Sequence, residues 1–448
     1  MASTALAQSR NTTGNRTKHG RTQGAALLGS LLIPLSSLLS GVGMLVVGVG
    51  LLFSVLGLRA GVAEFADVVT GLIMSAYFAG FVLGTYVCPA IIRRFGHIRA
   101  FAAMASVAST MPILHALWID PWFWGLLRLI TGICLVGLYI VVESWLNALA
   151  PSNQRGKVFA AYMTVNFVAL ALGQWLILVG DTLGFVPFAM VSVMFSFALL
   201  PITLTTVSEP KPVAAPRLGL RNLYRTSPLG VAGAVVSGLL NGAFFGLGAV
   251  YAQRIGFSDA GVASFMAVTI LGGAIFQWPV GHFSDRHDRR LVLLWICLGS
   301  AALAATGFVL SGISENALIF VGLLYGGLVF TIYGLSVAHV NDLIHSSRAL
   351  EVAGGLLLLH GAGAAFGPTL AGALMGEFGA ASLMLYFVGV LLAMVLFTMR
   401  RMRAASAVPA EDKSDYVVMG SGSQAVLQMD PRVAQEGADP APAPDVSK

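Results

Sequence analysis

Long apolar runs alternate with short polar or charged connections along most of this chain. A helix needs about 20 apolar residues to cross a hydrocarbon core of roughly 30 Å, and most of these runs are that long. Since an isolated strand would leave backbone groups unpaired in lipid, the runs predict helices. Twelve spans are predicted, at 27–57, 68–92, 99–119, 122–147, 157–180, 184–206, 227–253, 260–283, 291–313, 317–340, 351–375 and 381–400.

Composition strengthens this prediction. Hydrophobic residues make up 57% of the 448 residues and charged residues 10%, whereas soluble domains carry roughly 25% charged residues. So few charges could not cover the surface of a soluble protein of this size. The sequence therefore predicts an all-α integral membrane protein that is embedded in a lipid bilayer.

The distribution of positive charge indicates an orientation in the membrane. The formal net charge is +6, but with twelve spans and both termini inside, all 26 Lys and Arg residues except Arg59, Arg128 and Arg254 fall on the cytoplasmic side. This asymmetry is typical of membrane proteins and does not indicate a nucleic-acid partner. We expect a bacterial inner-membrane protein with both termini in the cytoplasm and, because residues 1–24 have no apolar core, no cleaved signal peptide.

A repeated basic hinge divides the chain into two similar halves. Gly281–Arg290, GHFSDRHDRR, is echoed by Pro89–Arg99, PAIIRRFGHIR, and both lie between apolar runs. The segments that begin at Tyr139 and Tyr333 also align without a gap, at an offset of 194 residues. Internal repeats of this kind are typical of transporters. The predicted organisation is a basic segment 1–26, a six-helix bundle 27–207, a linker 208–226, a second six-helix bundle 227–403 and a disordered cytoplasmic tail 404–448.

The hinge carries a family resemblance. Its spacing matches the loop motif Gly-x-x-x-Asp-Arg-x-Gly-Arg-Arg of the major facilitator superfamily at Gly281, Asp285, Arg286, Arg289 and Arg290. Asp288 replaces the second glycine. In the first half, Arg94, Gly96 and Arg99 match, while Pro89 and Arg93 replace the initial glycine and the aspartate.

Further strings narrow the resemblance. Arg128 with Gly132 resembles the fourth-span Arg-x-x-x-Gly core of the superfamily. The strings RRFGHIRAFAA, VESWLN followed by RGKVFAAYM, QWPVGHFSDRHDRR and LLLLHGAGAAFGP resemble its YcaD-like branch. The resemblance covers about residues 30–400.

The resemblance implies two pseudo-symmetric six-helix bundles around a central cavity, lined mainly by spans one, four, seven and ten. It implies a secondary transporter that moves a small solute by alternating access, coupled to protons, as a monomer without cofactor or metal. No phosphate-cradling loop with Lys-Ser or Lys-Thr is present, which argues against ATP-driven transport. Two alternatives remain open: an integral-membrane enzyme acting on a lipid-linked substrate, and a non-transporting sensor.

Arg128 is a candidate cargo or coupling contact. It lies about six residues inside the fourth span, so roughly 9 Å deep, where a charge is costly. Its side chain could instead snorkel to the outer surface, towards Asp120.

Glu143, near the inner end of the same span, also has two interpretations. It could carry a proton through the membrane. It could instead form a structural ion pair with Arg93, Arg94 or Arg155.

Five further polar residues are candidates for substrate or proton contacts. His339 and His360 could titrate near physiological pH, although each could also serve as a hydrogen-bond partner between helices. Tyr139, Asn241 and Tyr333 lie in spans expected to line the cavity, and Asn241 is the preferred cargo contact because its amide needs partners.

The basic loops predict a pair of charged latches at the cytoplasmic face. Asp285 should meet Arg155 and Lys157 at the start of span five, and the arginines of the first hinge should meet Glu351 at the start of span eleven. Both spans begin there, so each helix dipole favours an anion. The predicted gate residues are Arg93, Arg94, Arg155, Asp285, Arg286, Arg289 and Glu351.

Overall fold

The computed structural model describes residues 35–151, 154–181, 184–203, 210, 219–344, 349–404, 413 and 416. Over these residues, eleven helices are long and apolar enough to cross a membrane, with Glu315–Asn341 counted as one helix. A shorter apolar helix, Val186–Pro201, occupies the place of the predicted sixth span. The all-α, twelve-span fold class is therefore confirmed. The predicted basic segment, and the predicted tail apart from Ala404, Lys413 and Tyr416, lie outside the described residues.

The helices follow one another in two groups, separated by the linker. The first group is α1 (Leu35–Val62), α2 (Asp67–Phe95), α3 (His97–Leu117), α4 (Pro121–Leu149), α5 (Arg155–Trp175), α6 (Val186–Phe197) and α7 (Leu199–Thr203). The second group is α8 (Leu220–Thr226), α9 (Pro228–Arg254), α10 (Asp259–Arg286), α11 (Arg289–Leu310), α12 (Glu315–Val329), α13 (Thr331–Asn341), α14 (Ala349–Phe378) and α15 (Ser382–Ala404).

Two predicted spans are interrupted. The sixth span breaks at Ala198, between α6 and α7. The tenth breaks at Phe330, between α12 and α13, and Phe330 faces the central cavity. Hydropathy reports how apolar a run is but not whether its axis is continuous, so the sequence pattern could not show either break.

Glycines bring the helices of each half into direct backbone contact. A Cβ atom on Gly132 of α4 would lie 2.1 Å from the carbonyl oxygen of Tyr77 on α2, and one on Gly80 would lie 2.0 Å from that of Leu129. In the second half, a Cβ on Gly238 of α9 would lie 2.0 Å from the carbonyl oxygen of His360 on α14. Close packing through small residues is a main source of helix association in membranes.

The two halves meet at one end of the bundle. Asp67 at the start of α2 forms an ion pair with Arg254 at the end of α9, with a separation of 2.5 Å. Ser75 and Thr369 share a hydrogen bond of 2.8 Å between α2 and α14. We call this the Asp67 end. The opposite end, which carries the basic connections around Gly96 and His287, is the hinge end.

The close approach of α2 and α4 predicts a sharp difference between two glycines of one helix. Gly132→Ala should lower the melting temperature of the purified protein by several degrees, because its methyl group would displace the backbone of α2 at a cost of about 1–3 kcal/mol. Gly125→Ala is the matched control, since a Cβ there meets nothing within 4 Å. Equal melting temperatures for the two variants would contradict the described packing.

Candidate functional site

A cavity of about 180 Å³ lies between the two halves near mid-membrane. Helices α1, α2, α4 and α5 line it from the first half, and α9, α10, α13 and α14 line it from the second. Four of the predicted residues line this cavity: Tyr139, Asn241, Tyr333 and His360. The structure thus gathers residues from distant parts of the sequence around one space, while Arg128 and Glu143 lie outside its lining.

Arg128 is held between two aromatic rings. Its guanidinium carbon lies 4.5 Å from the ring centroids of both Phe53 and Tyr77, which line the cavity. The side chain is 1% exposed, so it does not snorkel to the surface. Asp120 instead caps α4, because its carboxylate accepts a hydrogen bond of 2.8 Å from the backbone N–H of Phe123.

The contact between α4 and Tyr77 of α2 gives a physical explanation for the Arg-x-x-x-Gly motif at Arg128 and Gly132. Gly132 lies one turn after Arg128 on the same face of α4 and admits the backbone of α2 at Tyr77. The ring of the same tyrosine stacks on the guanidinium. Nε and Nη2 of Arg128 are buried without hydrogen-bond partners among the described residues, so contacts with the rings stabilise the charge.

Glu143 lies on the same helix, closer to the hinge end. Its side chain is fully buried and accepts a hydrogen bond of 2.5 Å from the hydroxyl of Tyr162, which lines the cavity. Of the three alternative partners, Arg93 and Arg94 are exposed and Arg155 is partly buried. The structure therefore joins Glu143 to the cavity wall through Tyr162.

Residues of the second half that line the cavity carry buried polar atoms without partners. Oδ1 of Asn241, Oε1 of Gln277, the hydroxyl of Tyr333 and Nδ1 of His360 are all buried without a hydrogen bond to the described residues. The rings of Tyr333 and His360 lie 4.9 Å apart. Leaving such an atom unpaired costs about 1–3 kcal/mol, so a side-chain rotation that gives it a ligand or water as partner would be favourable.

Sequence reasoning missed several residues of the cavity. Gln277 lies in α10 and Tyr162 and Asn166 lie in α5, whereas the resemblance directed attention to spans one, four, seven and ten. An amide within an apolar run was the signal that singled out Asn241, and the same signal would have found Gln277. The rings around Arg128 carried no comparable signal, because aromatic residues are common throughout the spans.

At the hinge end, Asp285 bonds to Arg289 of its own bundle and to Tyr416 of the tail. It accepts a hydrogen bond of 3.1 Å from Arg289 and one of 2.9 Å from the backbone N–H of Tyr416. Arg289 is buried and also pairs with Asp342, at 2.8 Å. In the adjacent connection, burial raises the pKa of Asp288, but hydrogen bonds and charge from Arg290 outweigh it and bring that pKa below its usual value.

The other predicted gate residues are spread over this end. Glu351 lies beside Gly219 at the start of α8. His339 lines a second pocket, together with Arg289 and Arg290, and so is not part of the central cavity. The gate residues that are exposed to solvent are Arg93, Arg94, Arg286 and Glu351.

A multi-pass helical protein whose two halves enclose a central cavity belongs to the class of solute transporters. The model of the Major Facilitator Superfamily matches residues 35–354. The chain therefore belongs to the major facilitator superfamily, as the hinge motif indicates.

Relatives and solved structures agree with this assignment. The chain is 30% identical to an uncharacterised MFS-type transporter of Enterobacter sp. (strain 638), over 74% of this chain and 86% of the relative. It is 28% identical to the uncharacterised MFS-type transporter YcaD of Salmonella newport, over 69% of this chain and 80% of YcaD. These relatives confirm the resemblance to the YcaD-like branch.

Two crystal structures share the fold at low sequence identity. The nucleoside transporter NupG has a TM-score of 0.67 at 14% identity, over 82% of this chain and 98% of NupG. A bacterial homologue of the human lysosomal transporter Spinster, in an inward-facing and occupied conformation, has a TM-score of 0.66 at 15% identity, over 85% of this chain and 97% of the homologue. At such identities the similarity shows the fold alone.

The stacked arginine predicts that lysine cannot replace it. Arg128→Lys should lower the melting temperature, because the planar guanidinium stacks between the two rings and the lysine ammonium has no planar group that could replace it. Combined with Tyr77→Leu, the two losses should be non-additive by about 1 kcal/mol in a double-mutant cycle.

Arg94→Lys is the control for this substitution, since Arg94 is exposed and its guanidinium lies 5.2 Å from the ring of Phe95. Its effect on stability should be small. If the stability losses of Arg128→Lys and Tyr77→Leu were strictly additive, the stacking of Arg128 on Tyr77 would not contribute to stability.

Proposed function

We propose that the protein is a secondary transporter that carries a small solute across the bacterial cytoplasmic membrane by alternating access, coupled to protons. The observation that carries the proposal is the central cavity, because both halves contribute to it and rocking of one half on the other would expose it to each side in turn. No observation in the described residues favours the alternative of a membrane enzyme. The nucleosides named for NupG belong to that protein, since fold similarity at 14% identity does not extend to cargo.

The distribution of Lys and Arg supports an orientation with the hinge end in the cytoplasm. In this orientation, the Asp67–Arg254 ion pair and the Ser75–Thr369 hydrogen bond form a closed gate on the outer side. The described state then corresponds to a transporter closed to the outside.

The latches at the hinge end belong to the opposite state in this proposal. When the hinge end closes, Asp285 would exchange its partners within the second half for Arg155 and Lys157 of the first half. Arg93 and Arg94 would meet Glu351. The exposure of Arg93, Arg94 and Lys157 in the described state supports this assignment, because these side chains are accessible to new partners.

The proton site that we propose is Glu143. A buried carboxyl that can be neutral or charged is a common proton carrier in membrane proteins. Its hydrogen bond to Tyr162 connects it to the cavity wall, so that solute and proton could influence each other at this point. His360 lines the cavity and is a second candidate.

Alternating access predicts a change in chemical accessibility at Ser75. A cysteine there should be protected in the described state, because Ser75 is buried between the halves. Adding Asp67→Asn removes the ion pair and should increase its reaction with a membrane-impermeant maleimide added outside intact cells. Glu315→Gln is the matched control, since this acid lies at the same end but bonds to Ser258 within the second half.

The same reporter tests the latches. Asp285→Arg should reduce the labelling seen with Asp67→Asn, because it disfavours closure of the hinge end. Adding Arg155→Asp and Lys157→Asp should restore it. Unchanged labelling in all of these variants would contradict alternating access. If Asp285→Arg reduces labelling and the two compensating substitutions do not restore it, the latch does not exist.

Proton coupling predicts that Glu143→Gln separates exchange from accumulation. Solutes that stabilise the purified protein in a thermal-shift screen of metabolites and antibiotics would be tested for uptake into proteoliposomes. The variant should retain solute exchange but lose accumulation driven by a pH gradient, because glutamine cannot carry a proton. Tyr162→Phe, which keeps the carboxyl group, should retain part of the gradient-driven uptake; full accumulation by Glu143→Gln would exclude Glu143 as the carrier.

A further inference from the structure

The lining of the central cavity carries no full charge. Among the described residues around it there is no Asp, Glu, Lys or Arg. The nearby charges lie behind the wall: Phe53 and Tyr77 cover Arg128, and Glu143 is fully buried at Tyr162. An organic ion entering this space would lose its hydration without gaining an opposite charge, and for a cation the contacts with the rings, worth about 2 kcal/mol, offset only part of that loss.

Both walls of the cavity contribute aromatic rings. The first half contributes aromatic rings, among them Phe53 and Phe78, whose ring centroids lie 5.9 Å apart in a stacked arrangement. The second half adds Phe245 and Phe330, stacked at 5.7 Å. Rings of this kind favour a planar, apolar partner, because aromatic faces stack on one another.

The unpaired polar atoms among the lining residues belong to the second half. Oδ1 of Asn241 and Oε1 of Gln277 are carbonyl oxygens, which accept hydrogen bonds but cannot donate them. Both are buried without a partner among the described residues. The hydroxyl of Tyr333, which can donate or accept, is unpaired as well. Nδ1 of His360 is also unpaired and acts as an acceptor in the neutral ring, because the hydrogen bond to the backbone of Ala234 uses the other ring nitrogen as donor. A complementary ligand therefore presents N–H or O–H donors towards α9 and α10.

We propose that the cavity binds an uncharged, ring-bearing small molecule that donates hydrogen bonds to Asn241 and Gln277 while its ring packs among the aromatic side chains. This inference rests on the proposed transport function and names the chemical class of its cargo. Arg128 and Glu143 act behind the wall and do not contact the cargo directly. The site selects against organic anions and cations of the same shape.

The test uses two sets of probes with a shared ring and different charge. One set is benzamide, benzoate and benzamidine; the other is indole-3-acetamide, indole-3-acetate and tryptamine. Binding to the purified full-length protein is measured at pH 7 by equilibrium dialysis and by the shift in melting temperature. The neutral amide of at least one set should bind saturably, and at least tenfold more tightly than its charged partners.

Two variants test whether the ligand binds at Asn241 and Gln277. Asn241→Leu and Gln277→Leu should each weaken binding of the neutral amide about tenfold, because each removes an acceptor. The melting temperature of either variant without ligand should be equal to or above that of the unmodified protein, since an unpaired buried oxygen is removed. Asn222→Leu, on an exposed face of α8, is the control and should leave binding unchanged.

The outcomes separate this inference from the proposed function. Tighter binding of a charged member, no binding of either amide, or undiminished binding to both leucine variants would overturn the assignment of an uncharged cargo. Where a leucine variant unfolds, the charge preference within the probe sets decides. The Ser75 accessibility experiment uses no ligand, so alternating access would stand or fall independently of these results.

Discussion

Contact between glycine and a neighbouring backbone carbonyl is the constraint on which the rest of the molecule depends. In a bilayer, apolar side chains gain little by leaving lipid for protein, so helices associate through close packing and hydrogen bonds. Gly80 and Gly132 join α2 to α4, while Gly238 joins α9 to α14 and Gly272 joins α10 to α12. These contacts fix the height at which the cavity residues face one another.

The same packing also operates between the halves, where α2 contacts α14. A Cβ on Gly71 would lie 2.4 Å from the carbonyl oxygen of Pro368, beside the Ser75–Thr369 hydrogen bond. The interface at this end therefore combines a close backbone approach with a few polar contacts and one ion pair, Asp67–Arg254. In the proposed alternating-access mechanism, these are the contacts that would be released when the Asp67 end opens.

The sequence was sufficient for the fold class, the family and part of the site. Hydropathy and charge determined the spans because lipid imposes length and composition on each helix. Tyr139 and Tyr333, which the offset of 194 residues aligns, both line the cavity. The two-fold relationship within the sequence thus corresponds to equivalent positions in the structure.

The rest of the site depended on tertiary contacts. The pairing of Arg128 with two rings, of Glu143 with Tyr162 and of Asp67 with Arg254 joins residues that have no regular spacing in the chain. A single sequence shows that a polar group lies in a span, but not which neighbour satisfies it. Consequently the sequence left Arg128 with two interpretations; its burial between two rings argues against snorkelling, and its role in transport stays a prediction.

One helix, α4, carries both buried charges and connects them to the cavity without exposing them. Arg128 and Glu143 lie roughly 22 Å apart along its axis at 1.5 Å per residue. Each is in contact with a ring that lines the cavity: Tyr77 covers the arginine, and Tyr162 donates its hydroxyl to the carboxylate. A neutral cargo that packs against these rings would alter the environment of both charges without touching either. If the proposed proton coupling holds, such an arrangement would link cargo and proton while the cargo site itself remains uncharged, because the aromatic side chains would transmit the change and the low-dielectric surroundings of the charges would amplify it.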